Sequence, residues 1–552
     1  MKKGSYYTLI ALLPLAVLIL VFLLPLSFTL SRAFFVEGSF SLENLKETFT
    51  SVYNYKILLF TLKQAFFSVL LSLLIALPGA YFYSNYKFHF RSVLLSIASL
   101  CFVLPSILVV LGFVIFYGNS GFLNKLLMRI FSLSEPPLMI LYSFKAIILA
   151  HAFLNFPIAL SLITDYWSHL SEGEERAALC LGASPFKVFT SVTLPRITPA
   201  ILSSSLLIFL FCFTSFSIIL VLGGGPSFTT LEVEIYRRNN IASDSSGAAA
   251  LAILSFLANF ILLIIYLMSQ RLLSNKEKVR TLRLKKINKK STKVLIAIYT
   301  TLLLIFILGP LLSIIIRSFI STSARYGSGF TLDAYKQLFG IIRARGQLNS
   351  AFPALINSLI IALVTASVST ILSLNLSLFT ARLKKSIFDL FAMFPMAISS
   401  VTLGLGYFLI KARLPFHNQA TGYILVILAH MVMTFPFATR SITPAARSLN
   451  ENMLKAARTL GASESKASIT VEVPSLKSAI AKAFIFSFAL SMGETNATLT
   501  LSEGRIPTLP ILLYRLINSY NYQGACAVGT ILIVTTLTIF LLADERNKGE
   551  KN

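Results

Sequence analysis

Apolar runs of about 20 residues recur twelve times along the chain, and no other feature constrains its folding as tightly. A helix of that length crosses roughly 30 Å of hydrocarbon, and inside a bilayer only helices and closed barrels satisfy their own backbone hydrogen bonds. The runs fall near 8–30, 57–83, 92–117, 137–164, 200–222, 246–270, 294–316, 354–380, 387–410, 422–439, 479–501 and 524–543. Composition agrees, since 56% of the 552 residues are hydrophobic and 13% charged, with a mean hydropathy of +0.78. An all-α polytopic membrane protein is therefore expected. The first run follows Lys2 and Lys3, as a signal peptide would. It is longer than an ordinary signal core and no small-residue cleavage site follows, so it is read as a retained membrane helix.

A net charge of +26 would, in a soluble protein, suggest nucleic acid. Here its distribution sets topology instead. With a cytoplasmic N-terminus and all runs spanning, the inner segments carry roughly twice the Lys and Arg of the outer ones, the positive-inside pattern. The densest cluster, Arg271 to Lys293, holds ten basic residues against the single acid Glu277 and is predicted to be cytoplasmic. It has no aromatic residue on which a base would stack, so no nucleic-acid partner is expected. Both termini are predicted on the cytoplasmic side of an inner membrane. Cys101, Cys180, Cys212 and Cys526 form no CxxC pair, which gives no sign of a disulfide framework or metal site.

The chain repeats itself. Ile148-Leu149-Ala150-His151 with Phe156-Pro157 recurs as Ile427-Leu428-Ala429-His430 with Phe435-Pro436, an offset of 279. The same offset relates Leu181-Gly182-Ala183-Ser184 to Leu460-Gly461-Ala462-Ser463. Thr230-Leu231 returns as Thr508-Leu509, and Tyr236-Arg237 as Tyr514-Arg515, with almost no slippage. Six runs per copy is an even number, so both copies enter from the same side and form parallel repeats about an axis along the membrane normal. The expected organisation is a first six-helix repeat at 1–270, a basic linker at 271–293 and a second repeat at 294–552. Two such halves naturally enclose a central path. A twelve-helix ion-coupled secondary carrier pairs halves in the same way, and the repeat alone does not separate the two readings.

Polar stretches between the fourth and fifth runs, and between the tenth and eleventh, carry more information. Each holds a short helical pattern stopped by glycine, Ala177-Ala178 leading to Gly182 and Ala456-Ala457 leading to Gly461. A proline follows in each, Leu194-Pro195 and Val473-Pro474, where a helix entrance tolerates its missing N–H. This pattern resembles the EAA loop of type I ABC importer permeases. The resemblance implies that the short helices dock on a separate ABC ATPase dimer and that an extracytoplasmic binding protein delivers the solute. Arg176 and Lys455 stand where the family pattern begins with an acid, although Glu174 and Glu175 precede the first. That leaves an acid-mediated contact to the ATPase without support, while the Ala, Gly and Pro positions carry over. No GxxxxGKS or GxxxxGKT loop is present, so the chain is read as a transport subunit rather than an enzyme, with ATP and magnesium belonging to the partner.

Double-length permeases of this kind resemble those of thiamine and iron(III) importers. Gly223-Gly224-Gly225-Pro226, the stretch from Thr229 to Tyr236, and Thr508-Leu509-Pro510 with Tyr514 look closest to the thiamine branch, with iron(III) the alternative. Glu494, in Ser491-Met492-Gly493-Glu494-Thr495-Asn496, is an ionisable group at membrane depth and marks a candidate path. Its counterpart in the first repeat is Ser215, so Ser215, Glu494 and Asn496 are the candidate solute contacts. An acid there suits a cationic solute. His151 and His430 are read as helix-to-helix hydrogen-bonding groups rather than metal ligands. Outer segments near 31–56, 223–245 and 317–353 are candidates for receiving the solute.

Overall fold

The computed structural model describes residues 5–36, 39–170, 173–225, 227–274, 284–320, 329–342, 351–383, 387–415, 418–502 and 505–548. Lys2, Lys3, Pro226, residues 275–283 of the linker and parts of the 317–353 segment lie outside the described residues.

The first half runs through α1 (Leu12–Phe34) and α2 (Val52–Asn85) to α3 (Arg91–Val103) and α4 (Ser106–Tyr117). There follow α5 (Phe122–Phe131), α6 (Phe144–Ser168), α7 (Gly173–Cys180), α8 (Leu194–Phe213), α9 (Ser217–Leu222), α10 (Leu231–Asn240) and α11 (Ser245–Ser274). The second half comprises α12 (Lys290–Ser318), α13 (Ala351–Leu383), α14 (Ser400–Arg413), α15 (Gln419–Ser448) and α16 (Glu451–Thr459). It ends with α17 (Lys477–Gly493), α18 (Asn496–Ser502), α19 (Leu509–Asn518) and α20 (Tyr522–Lys548). Among the described residues ten helices are long and apolar enough to span a bilayer, or up to 12 if two sharply bent pairs each count as one.

Four of the twelve apolar runs are broken rather than straight. The third parts at Leu104-Pro105, between α3 and α4, and the ninth bends by 93° between Phe391–Ala397 and α14. Pro105 accounts for the first, because proline removes a helical N–H and pushes its predecessor, here the extended Leu104, out of the helical region. The second opens at Ile398-Ser399, both extended, after the 3-10 turn Phe394–Ala397 that contains Pro395. The fifth parts between α8 and α9, and the eleventh between α17 and α18, at repeat-equivalent places. There the chain offers Thr214-Ser215 and Glu494-Thr495, whose side chains compete with the backbone for hydrogen bonds. Apolar composition runs straight through all four breaks, which is why it does not reveal them.

The first helix of each half crosses onto the other half. Helix α1 packs along α13 and α14, and α12 packs along α4. Glycine makes both approaches close: a Cβ on Gly406 of α14 would collide with the Pro25 carbonyl oxygen, and one on Gly112 of α4 would stand 3.0 Å from Pro310. The Tyr407 hydroxyl donates to the Val21 carbonyl at 2.6 Å across the same crossing. One continuous apolar core therefore includes residues of both halves. At the described end of the linker, Lys285-Lys286 pairs with Tyr86-Lys87 as a two-residue parallel ladder.

Candidate functional site

The four helix breaks converge. Together they line a cavity of about 240 Å³ whose wall includes Leu104, Ser215, Ile398, Ser399, Ser400, Glu494 and Asn496. Breaking a helix exposes backbone ends and frees short polar side chains, and such breaks are stable at membrane depth only where they line a cavity or are buried in protein. Ser217 Oγ donates to Asn496 Oδ1 at 2.5 Å. These two residues are 279 apart, the repeat offset, so the contact joins equivalent positions and the pseudo-twofold axis passes between them. The three solute-path residues singled out in the sequence, Ser215, Glu494 and Asn496, are thus brought together on one wall at the junction of the halves.

Glu494 Oε1 accepts from the Ala497 backbone N–H at 2.9 Å, closing the first turn of α18. Asn496 Nδ2 donates to Ser400 Oγ at 3.0 Å, tying α18 to the start of α14. The two histidines hold the breaks in place. His151 Nε2 meets Ser215 Oγ at 2.8 Å and its Nδ1 meets Ser68 Oγ at 3.1 Å. His430 meets Ser491 Oγ through Nδ1 and Thr498 Oγ1 through Nε2, both at 2.8 Å. Both rings bond one helix to another, as their sequence setting suggests.

Four phenylalanines, two from each half, close the cavity on the face that carries α7 and α16. Phe102 lies tilted 5.6 Å from Phe211 and stacks 5.8 Å from Phe486, and Phe437 stands 6.1 Å from Phe211 and 5.7 Å from Phe486. Phe486 precedes Glu494 along α17, and Phe437 lies between His430 and the loop end of α15.

Sequence reading missed one acid. Glu232 of α10 is fully buried, accepts from Ser255 Oγ at 2.6 Å and accepts a second bond from Ser399 of the other half. Ser399 is also the cap of α14, accepting from the Thr402 N–H at 3.0 Å. The signal was available: Glu234 has Arg237 and Arg238 one turn on, each 3.3 Å away, whereas Glu232 has only Ile235 and Tyr236 there. An acid without a local partner on a helix of paired charges finds one elsewhere.

The two loop helices are built alike. At α7 the Gly182 N–H bonds the Leu179 carbonyl and the Ala183 N–H bonds the Ala178 carbonyl, each at 3.0 Å. At α16 the Gly461 N–H bonds Arg458 at 3.0 Å and the Ala462 N–H bonds Ala457 at 3.1 Å. Gly182 and Gly461 have φ of 83° and 89°, the left-handed region that favours glycine and ends a helix. Ala177 and Ala456 are exposed, with Ala178 and Ala457 half-buried. Leu181 and Leu460 are each 88% exposed, one apolar knob per loop at the repeat offset. Pro195 and Pro474 do not open a helix after a loop. A π-turn precedes each, Phe189–Thr193 and Ser468–Glu472, and the α-helical run resumes at Leu194 and Val473, so proline falls where the hydrogen-bond ladder is already shifted. Behind the loops, Thr193 donates to Glu175 at 2.7 Å, Arg196 pairs with Glu174 at 3.5 Å, and Arg382 pairs with buried Glu472.

Exposed apolar side chains at equivalent places on two like loops mark a surface suited to a partner. The chain belongs to the family of binding-protein-dependent transport system inner membrane components, whose model matches residues 68–275 and 360–544. It is the transmembrane permease subunit of an ATP-binding-cassette importer, and the secondary-carrier reading falls away. The chain is 29% identical over 496 residues to the thiamine transport system permease protein ThiP of Haemophilus influenzae, covering 89% of this chain and 88% of that one. It is 27% identical over 508 residues to ThiP of Brucella abortus, covering 90% and 89%. The ferric transport system permease protein FbpB of Actinobacillus pleuropneumoniae is 24% identical over 563 residues, covering 99% of this chain and 79% of that one.

Proposed function

We propose that this permease carries thiamine, received from an extracytoplasmic binding protein and driven by a separate ATPase dimer docked on α7 and α16. The observation that carries the reading is Glu494 on the wall of the axial cavity. A carboxylate there meets the thiazolium charge, while the hydroxyls of Ser215 and Ser400 and the amide of Asn496 offer neutral hydrogen bonds. Phe102, Phe211 and Phe437 also line the cavity and present aromatic surface to a planar, cationic heterocycle. A ferric ion asks for several hard ligands together. Among the described residues no group of three or more His, Cys, Asp or Glu is placed to hold a metal ion, which favours thiamine over iron(III).

In this reading Ala177, Ala178, Gly182, Leu194 and Pro195 form the first coupling loop, and Ala456, Ala457, Gly461 and Pro474 the second. Leu181 and Leu460 enter the motor as paired knobs. ATP and magnesium bind the partner, both termini and the 271–293 linker face the cytoplasm, and 1–270 and 294–552 are the functional halves in an inner membrane.

The test is uptake of labelled thiamine into vesicles that contain the chain, its co-purifying ATPase and its binding protein. Uptake should require ATP, vanish in a Gly182→Asp, Gly461→Asp double variant that still inserts, and show a KM raised about tenfold in Glu494→Gln, the loss of one charge-assisted contact. Loop-dependent ATPase stimulation without thiamine uptake would reject thiamine and turn the search to ferric iron.

A further inference from the structure

A second, larger cavity of about 650 Å³ lies away from the axis, between α4, α5, the start of α20 and the end of α12. The first half builds it with an insertion. Residues 118–143 separate α4 from α6, whereas only residues 414–418 separate α14 from α15. The insertion is a formed structure, pinned by fully buried Asn124, which donates to the Gly118 and Leu138 carbonyls at 2.9 and 2.8 Å and accepts from the Leu138 N–H at 3.0 Å.

Among the described residues the polar lining is Asn119, Ser120, Lys125, Tyr142, Arg317 and Tyr522, two of them cations. Val114, Met139, Leu141 and Ile320 supply an apolar part. Its depth follows from α12, an apolar span that ends at Ser318, one residue past Arg317, and that exposes Leu302, Ile305, Leu312 and Ile316 on its outer side. The cavity therefore sits where a lipid-facing span leaves the hydrocarbon, on the membrane face opposite the coupling loops. Beside it α5 exposes Leu126, Ile130 and Phe131 together with Lys125 and Arg129, the mixed apolar and basic surface of a helix lying in the headgroup layer. Tyr142 is held at φ 54°, a strained conformation for an aromatic residue, and its Cβ stands 3.0 Å from where Gly224 would carry one. Tyrosines at this depth are at home in the interface.

We propose that this cavity binds an anionic phospholipid, its phosphate between Lys125 and Arg317 and an acyl chain along α12. Because the first half supplies Lys125 and the second Arg317 and Tyr522, the lipid joins the halves at their rim. The transported solute plays no part in this site.

The experiment places the full-length chain in nanodiscs of phosphatidylcholine with a minor fraction of phosphatidylglycerol and counts retained lipids by native mass spectrometry. Wild type should retain phosphatidylglycerol over phosphatidylcholine. Lys125→Gln should lower that retention about tenfold, as expected for one charge-assisted hydrogen bond, and Lys125→Arg should preserve it. Arg317→Gln is the second variant, with a monodisperse gel-filtration profile required of each. Equal retention of the two lipids in wild type, or unchanged retention in both Gln variants, would overturn the proposal. Displacement of the lipid by inorganic phosphate at millimolar concentration would overturn it in favour of a free anion. Weakened capture of the binding protein with unchanged lipid retention would overturn it in favour of a protein contact.

Discussion

Single side chains determine how the cavity is built. His430 bridges Ser491 and Thr498, one on each side of the break at Glu494, so the ring splints α17 to α18. Replacing it with alanine leaves two buried hydroxyls without that partner, at about 1 kcal/mol each. His430→Ala is expected to lose roughly 2 kcal/mol of stability, read as a lowered unfolding midpoint in detergent, with His430→Gln losing less. An unchanged midpoint would mean that the splint contributes nothing. Gly461 has a different task. Its Cβ would meet nothing within 4 Å, so the cost of Gly461→Ala comes only from the left-handed backbone, about 1 kcal/mol. The expected result is weakened ATPase stimulation with normal membrane insertion. The sequence exposes such positions well, because glycine after a helical pattern and histidine within an apolar one are local signals. That Glu232 lacks a local partner was legible too, but not which residue meets it, because Ser399 lies 167 residues away in the other half.

Helices set what the side chains can reach. The twelve runs were legible from composition, whereas the breaks at Thr214-Phe216 and Glu494-Thr495 were not, since each leaves a run apolar on both sides. Pro105 is a local signal for the break at Leu104. The crossing of α1 over α14 depends on a small residue where backbones meet. Gly406→Leu drives a side chain into the Pro25 carbonyl and should destabilise the assembled halves by about 1–3 kcal/mol. Split halves, co-expressed, should then co-purify poorly, while Gly173→Leu, with nothing within 4 Å of its Cβ, should leave assembly intact. Equal co-purification in both would show that the crossing tolerates separation.

At the scale of the whole molecule, the four-phenylalanine cluster separates the cavity from the loop face. Coupling follows if drawing α7 and α16 together spreads these rings, since α6 and α8 flank one loop and α15 and α17 the other. A Phe211→Ala, Phe437→Ala double variant should thin this barrier and let preloaded vesicles leak solute without ATP, and leakage equal to wild type would place the barrier elsewhere. Alone, the sequence determined the membrane setting, the duplication and the two short loop helices stopped by Gly182 and Gly461. Each follows from patterns of hydropathy, charge or turn chemistry within a few tens of residues. Only the tertiary structure decided that the broken helices meet at one cavity, that Ser217 faces its own repeat-equivalent Asn496, and that Glu232 is buried against the other half while Glu494 lines the cavity. Those relations join residues hundreds of positions apart, and close packing of the two halves, which no local pattern encodes, brings them together.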